Sequence, residues 1–231
     1  PGAAVLSGFK VNSFTEDRFQ FDPLARLDRI EQRYLNEDGS VKSSLPVQVR
    51  YQRPKKNESI PQLAKAIERM LKEQIPAAVE KARGKGPFYC LFLCYCEEDF
   101  GAGWPPGLVL KTEAERQRII ERGDEVTYYL WAPDESEETN MRVGLNEETL
   151  LRHCDLHNQL MDVDGDYSSA KKALRSVAKA LNETDWSNII DVTHDFVVAA
   201  VDNTGEVDFA TDIKASIPAP KFRALKKNGL I

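Results

Sequence analysis

The sequence predicts an α+β fold in which a mixed or mainly antiparallel central sheet is flanked by helices. Residues 88–96, FYCLFLCYC, are dense in aromatic and apolar side chains over a strand's length, the pattern of a strand buried on both faces. On either side of that run, apolar residues recur at helical spacing over long stretches. The chain of 231 residues is long enough to bury about 70% of its unfolded surface. It therefore needs no disulfide staples.

Composition changes near residue 57, which divides the chain into an N-terminal helix-strand extension, 1–58, and a main α+β domain, 59–231. In the extension, Asp22 and Pro23 supply an N-cap and a first turn, and Leu24, Leu27 and Tyr34 continue a helix to about Asn36. Glu37 to Ser40 is turn chemistry, and Val47, Val49 and Tyr51 alternate with polar residues as a half-buried strand does. Arg53 to Asn57 is a solvated linker or loop.

Ser59 opens a long helix with Leu63, Ile67, Met70, Leu71 and Ile75 on one face, which Pro76 is expected to kink or split before Gly84 and Gly86. The strand at 88–96 follows as the centre of the sheet. Asp99 to Gly107, with three glycines and two prolines around Trp104, is an irregular loop. Thr112 and Glu115 form a capping box for a helix that stops at Gly123. Val126 to Trp131, VTYYLW, is strongly β-prone and predicts a second strand. Asn146 caps a helix to about Met161, and a further helix runs over 168–181. Phe196–Val201 and Val207–Phe209 predict a hairpin across Asn203-Thr204-Gly205, and Pro218 to Gly229 a short final helix.

Function is far less legible. A formal net charge of −6 with a pI near 5.3 offers no basic stripe for a phosphate backbone, so nucleic acid is excluded as a partner and a basic protein is favoured. No stretch approaches the roughly 18 apolar residues that span a bilayer. The N-terminal residues lack the basic start, apolar core and small-residue cleavage site of a secretory leader. Four cysteines, Cys90, Cys94, Cys96 and Cys154, read as buried thiols in a reducing compartment. A cytoplasmic protein with no membrane partner is the expectation. Cys90, Cys94 and Cys96 should share one strand face, because each spacing is even.

Catalytic signatures are missing: there is no Gly-x-Ser-x-Gly elbow, no phosphate-binding loop and no dinucleotide fingerprint. Cys154 beside His153 is not a nucleophile-base pair, because helix neighbours point about 100° apart. Asp162-Val163-Asp164-Gly165-Asp166 has its glycine at the fourth loop position, and Ala173 at the twelfth, so it is not a calcium loop. His153 and His157, four apart on a helix, have metal-ligand spacing, but two ligands do not make a site. The sequence thus assigns no catalytic residue, cofactor or metal set.

From Ser59 onward, the long helix, Phe88-Tyr89 entering a strand, the late Trp186 followed by Asp195-Phe196-Val197-Val198, and the end at Gly229-Leu230 resemble the bacterial domain-of-unknown-function family numbered 4303. The resemblance covers residues 59–231. It implies a small bacterial protein associated with toxin and immunity loci, and carries no catalytic residues with it. The leading expectation is a protein-binding module, an immunity protein that neutralises a bacterial toxin by direct binding. Its contacts are expected at the exposed aromatic Trp104, with Trp131 as a second anchor, and at the acidic segment Asp134, Glu135, Glu137 and Glu138. The alternative is a metal-dependent hydrolase using His153, His157 and a carboxylate.

Overall fold

Every residue from Phe88 to Tyr95 is buried, so the strand they form must be paired at both edges and covered on both faces. The computed structural model that shows this describes residues 59–82, 84–101, 103–133 and 141–231. The helix and strand expected within residues 1–58 lie outside the described residues. In chain order the elements are α1 (Ile60–Ala82), β1 (Phe88–Tyr95), β2 (Gly107–Thr112), α2 (Glu113–Arg122), α3 (Val126–Trp131), β3 (Met141–Val143), α4 (Glu148–Asp164), α5 (Ser168–Leu181), β4 (Val192–Asp202), α6 (Phe209–Ser216) and α7 (Ala219–Lys227). A single 3₁₀ turn, Trp186–Asn188, precedes β4.

The sheet is mixed, in the order β3-β2-β1-β4. β1 runs antiparallel to β2, with Leu91 opposite Leu110, and parallel to β4, with Leu91 opposite Val198. β2 continues the sheet by pairing antiparallel with β3. Side chains alternate as a strand requires. Leu91, Leu93 and Tyr95 enter one apolar cluster with α1, α4 and α5. Cys90, Phe92 and Cys94 enter a second with Ile119, Leu130, Trp131, Ile213 and Leu225, from the helices of the opposite layer. Cys90 and Cys94 thus share a face, while Cys96 lies just past the strand, half-buried; all four cysteines are free thiols.

α1 starts where Gln62 reaches back to the Ser59 amide, 3.1 Å away, the return half of a capping box. It continues through Pro76 rather than splitting there. The missing N–H forfeits one hydrogen bond to the carbonyl four residues earlier, yet Ile75 and Val79 are wholly buried on either side and hold the last turns on the core. α2 begins and ends as expected: the Thr112 side chain accepts from the Glu115 N–H, and Gly123 closes the helix in the left-handed region at φ 77°. The cap of α4 falls one residue later than expected, on Glu147, whose carboxylate accepts from the Thr149 and Leu150 amides.

Two predicted strands do not form: one is a helix and the other a turn that leads into one. In Val126–Trp131 the adjacent residues Leu130 and Trp131 are both buried while Tyr128 is exposed, a helical rather than alternating pattern. The cause sits on β2. Lys111 is fully buried, and its ammonium donates to the carbonyls of Tyr129 at 2.8 Å and Ala132 at 3.2 Å. It lies 3.3 Å from the Glu115 carboxylate. A buried cation facing the carbonyl end of a short helix satisfies both the orphan acceptors and the charge. The hairpin expected after Val201 is replaced by a turn into α6, which Asp208 caps by accepting from the Thr211 N–H.

β4 lies at the edge of the described sheet, and several of its outer polar groups are taken up by side chains. The Asn182 amide donates to the Val198 carbonyl at 2.7 Å and accepts from the Val198 N–H at 3.1 Å. Lys221 donates to the Phe196 carbonyl at 2.8 Å, and the Asp212 carboxylate accepts from the Asp202 N–H at 3.0 Å. Covering an edge in this way removes a template for strand addition. Replacing Asn182 by Ala should therefore destabilise the protein by about 3 kcal/mol, since it orphans a buried donor and a buried acceptor together. Urea unfolding measures it; a loss under about 1 kcal/mol would mean that other groups satisfy Val198.

Candidate interaction surface

Ionisable groups converge at the carboxyl ends of the parallel strands β1 and β4. Asp202, wholly buried, accepts from the amides of Glu97, Thr204, Glu206 and Val207 and from the Thr204 hydroxyl. Burial works to raise its pKa, but the Thr204 hydroxyl and the amides outweigh it and hold the carboxyl below its ordinary value. Asp212 is equally buried. It accepts from the Tyr95 hydroxyl at 2.8 Å and from Arg175 at 3.2 Å. There desolvation prevails over these partners, and the pKa is raised. Lys171 pairs with Glu97 at the rim. These contacts fasten the turn after β4 to α5 and α6.

The histidines separate instead of converging. His157 is fully buried, with Nε2 3.1 Å from the Ser169 hydroxyl. His153 places Nδ1 2.7 Å from the Thr149 carbonyl of its own helix. Among the described residues no group of three or more His, Cys, Asp or Glu side chains is placed to hold a metal ion. The Asp162–Asp166 joint is a helix stop: Gly165 sits at φ 64° and its N–H reaches the Met161 carbonyl, while Tyr167 donates to Asp162.

Trp104 is not an exposed anchor. Only 2% of it reaches solvent, and its ring packs 5.8 Å from Phe100 and 6.1 Å from His157, centroid to centroid. The loop folds inward because Gly103 lies against the Tyr95-Cys96 backbone, where a Cβ would come within 2.8 Å of the Cys96 nitrogen. Trp131 is also buried, edge-on to Phe92 at 6.0 Å, and its indole donates to the Leu230 carbonyl. Asp134, Glu135, Glu137 and Glu138 lie outside the described residues.

Among the described residues the exposed large aromatic is Tyr128, 44% accessible. Its ring lies 5.9 Å from that of Phe209 and 5.3 Å from that of Tyr129, nearly perpendicular to the latter. Asp124, Glu125, Glu206 and Asp208, all exposed, occupy the chain segments that bring these rings to the surface. Glu125 holds φ 44°, a costly conformation for a residue with a side chain, at the turn that starts α3. Beside it, the Arg122 guanidinium stands 3.8 Å over the Tyr129 ring and donates to Asp124 at 2.6 Å. The surface thus already seats one guanidinium between an aromatic face and a carboxylate. Reading 126–131 as a strand hid Tyr128, because alternation puts it on the face of buried Leu130, whereas in α3 it is exposed.

No known family, curated protein or solved structure matches the chain. Among the described residues no helix is long and apolar enough to cross a membrane.

His157 gives the fold a pH signature. Burial depresses its pKa from 6.5 to about 4. Below about pH 6.5 the unfolded chain takes up a proton that the folded chain refuses, so stability falls as pH drops toward about 4 and this loss then levels off. Replacing His157 by Gln should flatten that segment of the stability-pH curve, removing a dependence of about 3 kcal/mol. Urea midpoints measured across the interval check this; an unchanged slope would assign it to other groups.

Proposed function

We propose that this chain is a cytoplasmic protein-binding module, which engages a basic protein through the surface around α3 and the acidic segment that follows it. The observation that carries the reading is Tyr128, exposed against Phe209 amid exposed carboxylates on both contributing segments. Aromatic side chains bury much area at little entropic cost and commonly anchor interfaces. Carboxylates around them attract a basic partner and raise its association rate more than its final affinity. The net charge of −6 adds long-range steering of the same sign. Arg122, seated on Tyr129 and paired with Asp124, is a local example of how a partner's arginine is received. Strand addition is disfavoured at β4, whose outer groups are engaged by Asn182, Lys221 and Asp212.

The narrower reading, an immunity protein that occludes a toxin's active site, rests on the sequence resemblance to family 4303 alone, since no family model matches the chain. Of the residues quoted for that resemblance, Phe88, Tyr89, Trp186 and Phe196 to Val198 are buried, while Asp195, Gly229 and Leu230 are not.

Co-purification of the untagged chain with proteins encoded beside its gene supplies the partner. Replacing Asp134, Glu135, Glu137 and Glu138 together by Ser or Gln should slow association at low salt and flatten its salt dependence. Stability should change by no more than about 0.5 kcal/mol per site. Tyr128→Ala should weaken binding by roughly 2 kcal/mol, about 30-fold, with thermal unfolding nearly unchanged. An association rate indifferent to the four substitutions, together with full affinity in Tyr128→Ala, rejects this surface.

A further inference from the structure

Three buried polar atoms beneath the loop before β2 have no hydrogen-bond partner: Trp104 Nε1, His157 Nδ1 and Asn158 Oδ1. Their side chains belong to residues 2%, 0% and 5% exposed, so bulk water does not serve them. An orphaned buried polar group costs about 1–3 kcal/mol, and native proteins keep few of them. All three side chains border the same loop. The Trp104 and His157 rings are 6.1 Å apart, Asn158 is the next residue on α4, and its amide nitrogen donates at 3.2 Å to the carbonyl of Gly101 in the same loop.

The bonds they already make admit the following assignment of donors and acceptors. With the Ser169 hydroxyl proton on the Met161 sulfur at 3.4 Å, its oxygen accepts from His157 Nε2–H at 3.1 Å. That tautomer leaves Nδ1 as a bare acceptor. The Gly101 carbonyl likewise fixes the Asn158 amide with Oδ1 as an acceptor, and an indole nitrogen is always a donor. The set is one donor and two acceptors. A water molecule is its complement, with two protons to give and a lone pair to receive, and two to four polar partners is what a buried water requires.

We propose that Trp104, His157 and Asn158 hold one internal water, which accepts from Trp104 Nε1–H and donates to His157 Nδ1 and Asn158 Oδ1. This site ties the Asp99–Gly107 loop to α4 and, through His157 and Ser169, to α5. Trp104 is thereby a polar tie as well as a core side chain. The occupant is neutral and hydroxylic; a cation is refused by the indole donor, and an anion by the two acceptors.

Water-selective NOE spectroscopy on the full ¹⁵N-labelled chain tests the assignment. A cross-peak between a long-lived water and the Trp104 indole proton is expected, with His157 protonated on Nε2 only. His157→Phe should abolish the cross-peak while the indole resonance persists. A missing cross-peak in the unsubstituted protein, a proton on Nδ1, or a cross-peak that survives His157→Phe would each overturn the proposal. Should His157→Phe fail to fold, a high-resolution crystal structure of the unsubstituted protein decides. Solvent density within about 3.2 Å of all three atoms supports the site, and no density there refutes it.

Discussion

The burial of β1 on every side is the constraint on which the other elements depend. With eight consecutive residues inside, the strand leaves none of its backbone or side chains for water, so it needs a neighbour along each edge and a helical layer over each face. β2 and β4 supply the edges. α1, α4 and α5 cover one face, and the helices after β2 and β4 cover the other. The two faces differ in kind: long helices over one and short ones over the other, the short ones fastened by buried polar side chains as well as by apolar contact.

Those polar side chains act as substitutes for backbone. Lys111 takes carbonyls at the end of α3, Asn182 stands where a fifth strand would pair with Val198, and Asp202 gathers the amides of a turn that has no strand to enter. In each case a local backbone need is met by a side chain from a distant part of the sequence. Buried polar groups of this kind are tolerated because they are hydrogen-bonded, and each commits its surroundings to one geometry.

This explains what could be read in advance. α1, β1, α2, α4 and α5 were legible because their apolar period or capping chemistry is contained within the segment, as with Thr112 and Glu115. Val126–Trp131 was misread because its intrinsic β-preference is overridden by Lys111, which carries no sign in the sequence that it will be buried. Residues 207–209 were misread because Asp202 draws the following amides into its turn. The proposed surface is half legible in the sequence, where aromatic and acidic character stand together. Trp104 reads as an exposed aromatic, a position that among the described residues Tyr128 holds, since glycine-rich loops read as exposed, while the close approach of Gly103 to Cys96 that turns this loop inward is invisible in one dimension.

The mixed pairing of β1 also bears on how the chain reaches its fold. Its antiparallel neighbour β2 follows after a short loop, whereas its parallel neighbour β4 comes only after α2 to α5 have been made. During synthesis the most apolar strand of the protein therefore emerges with one edge unpaired and stays so until late. Non-local parallel pairing of this kind is slow, and an open hydrophobic strand is prone to meet other chains before its own partner. α1, on the N-terminal side of β1, is available from the outset to cover one face, leaving the free edge as the hazard during assembly.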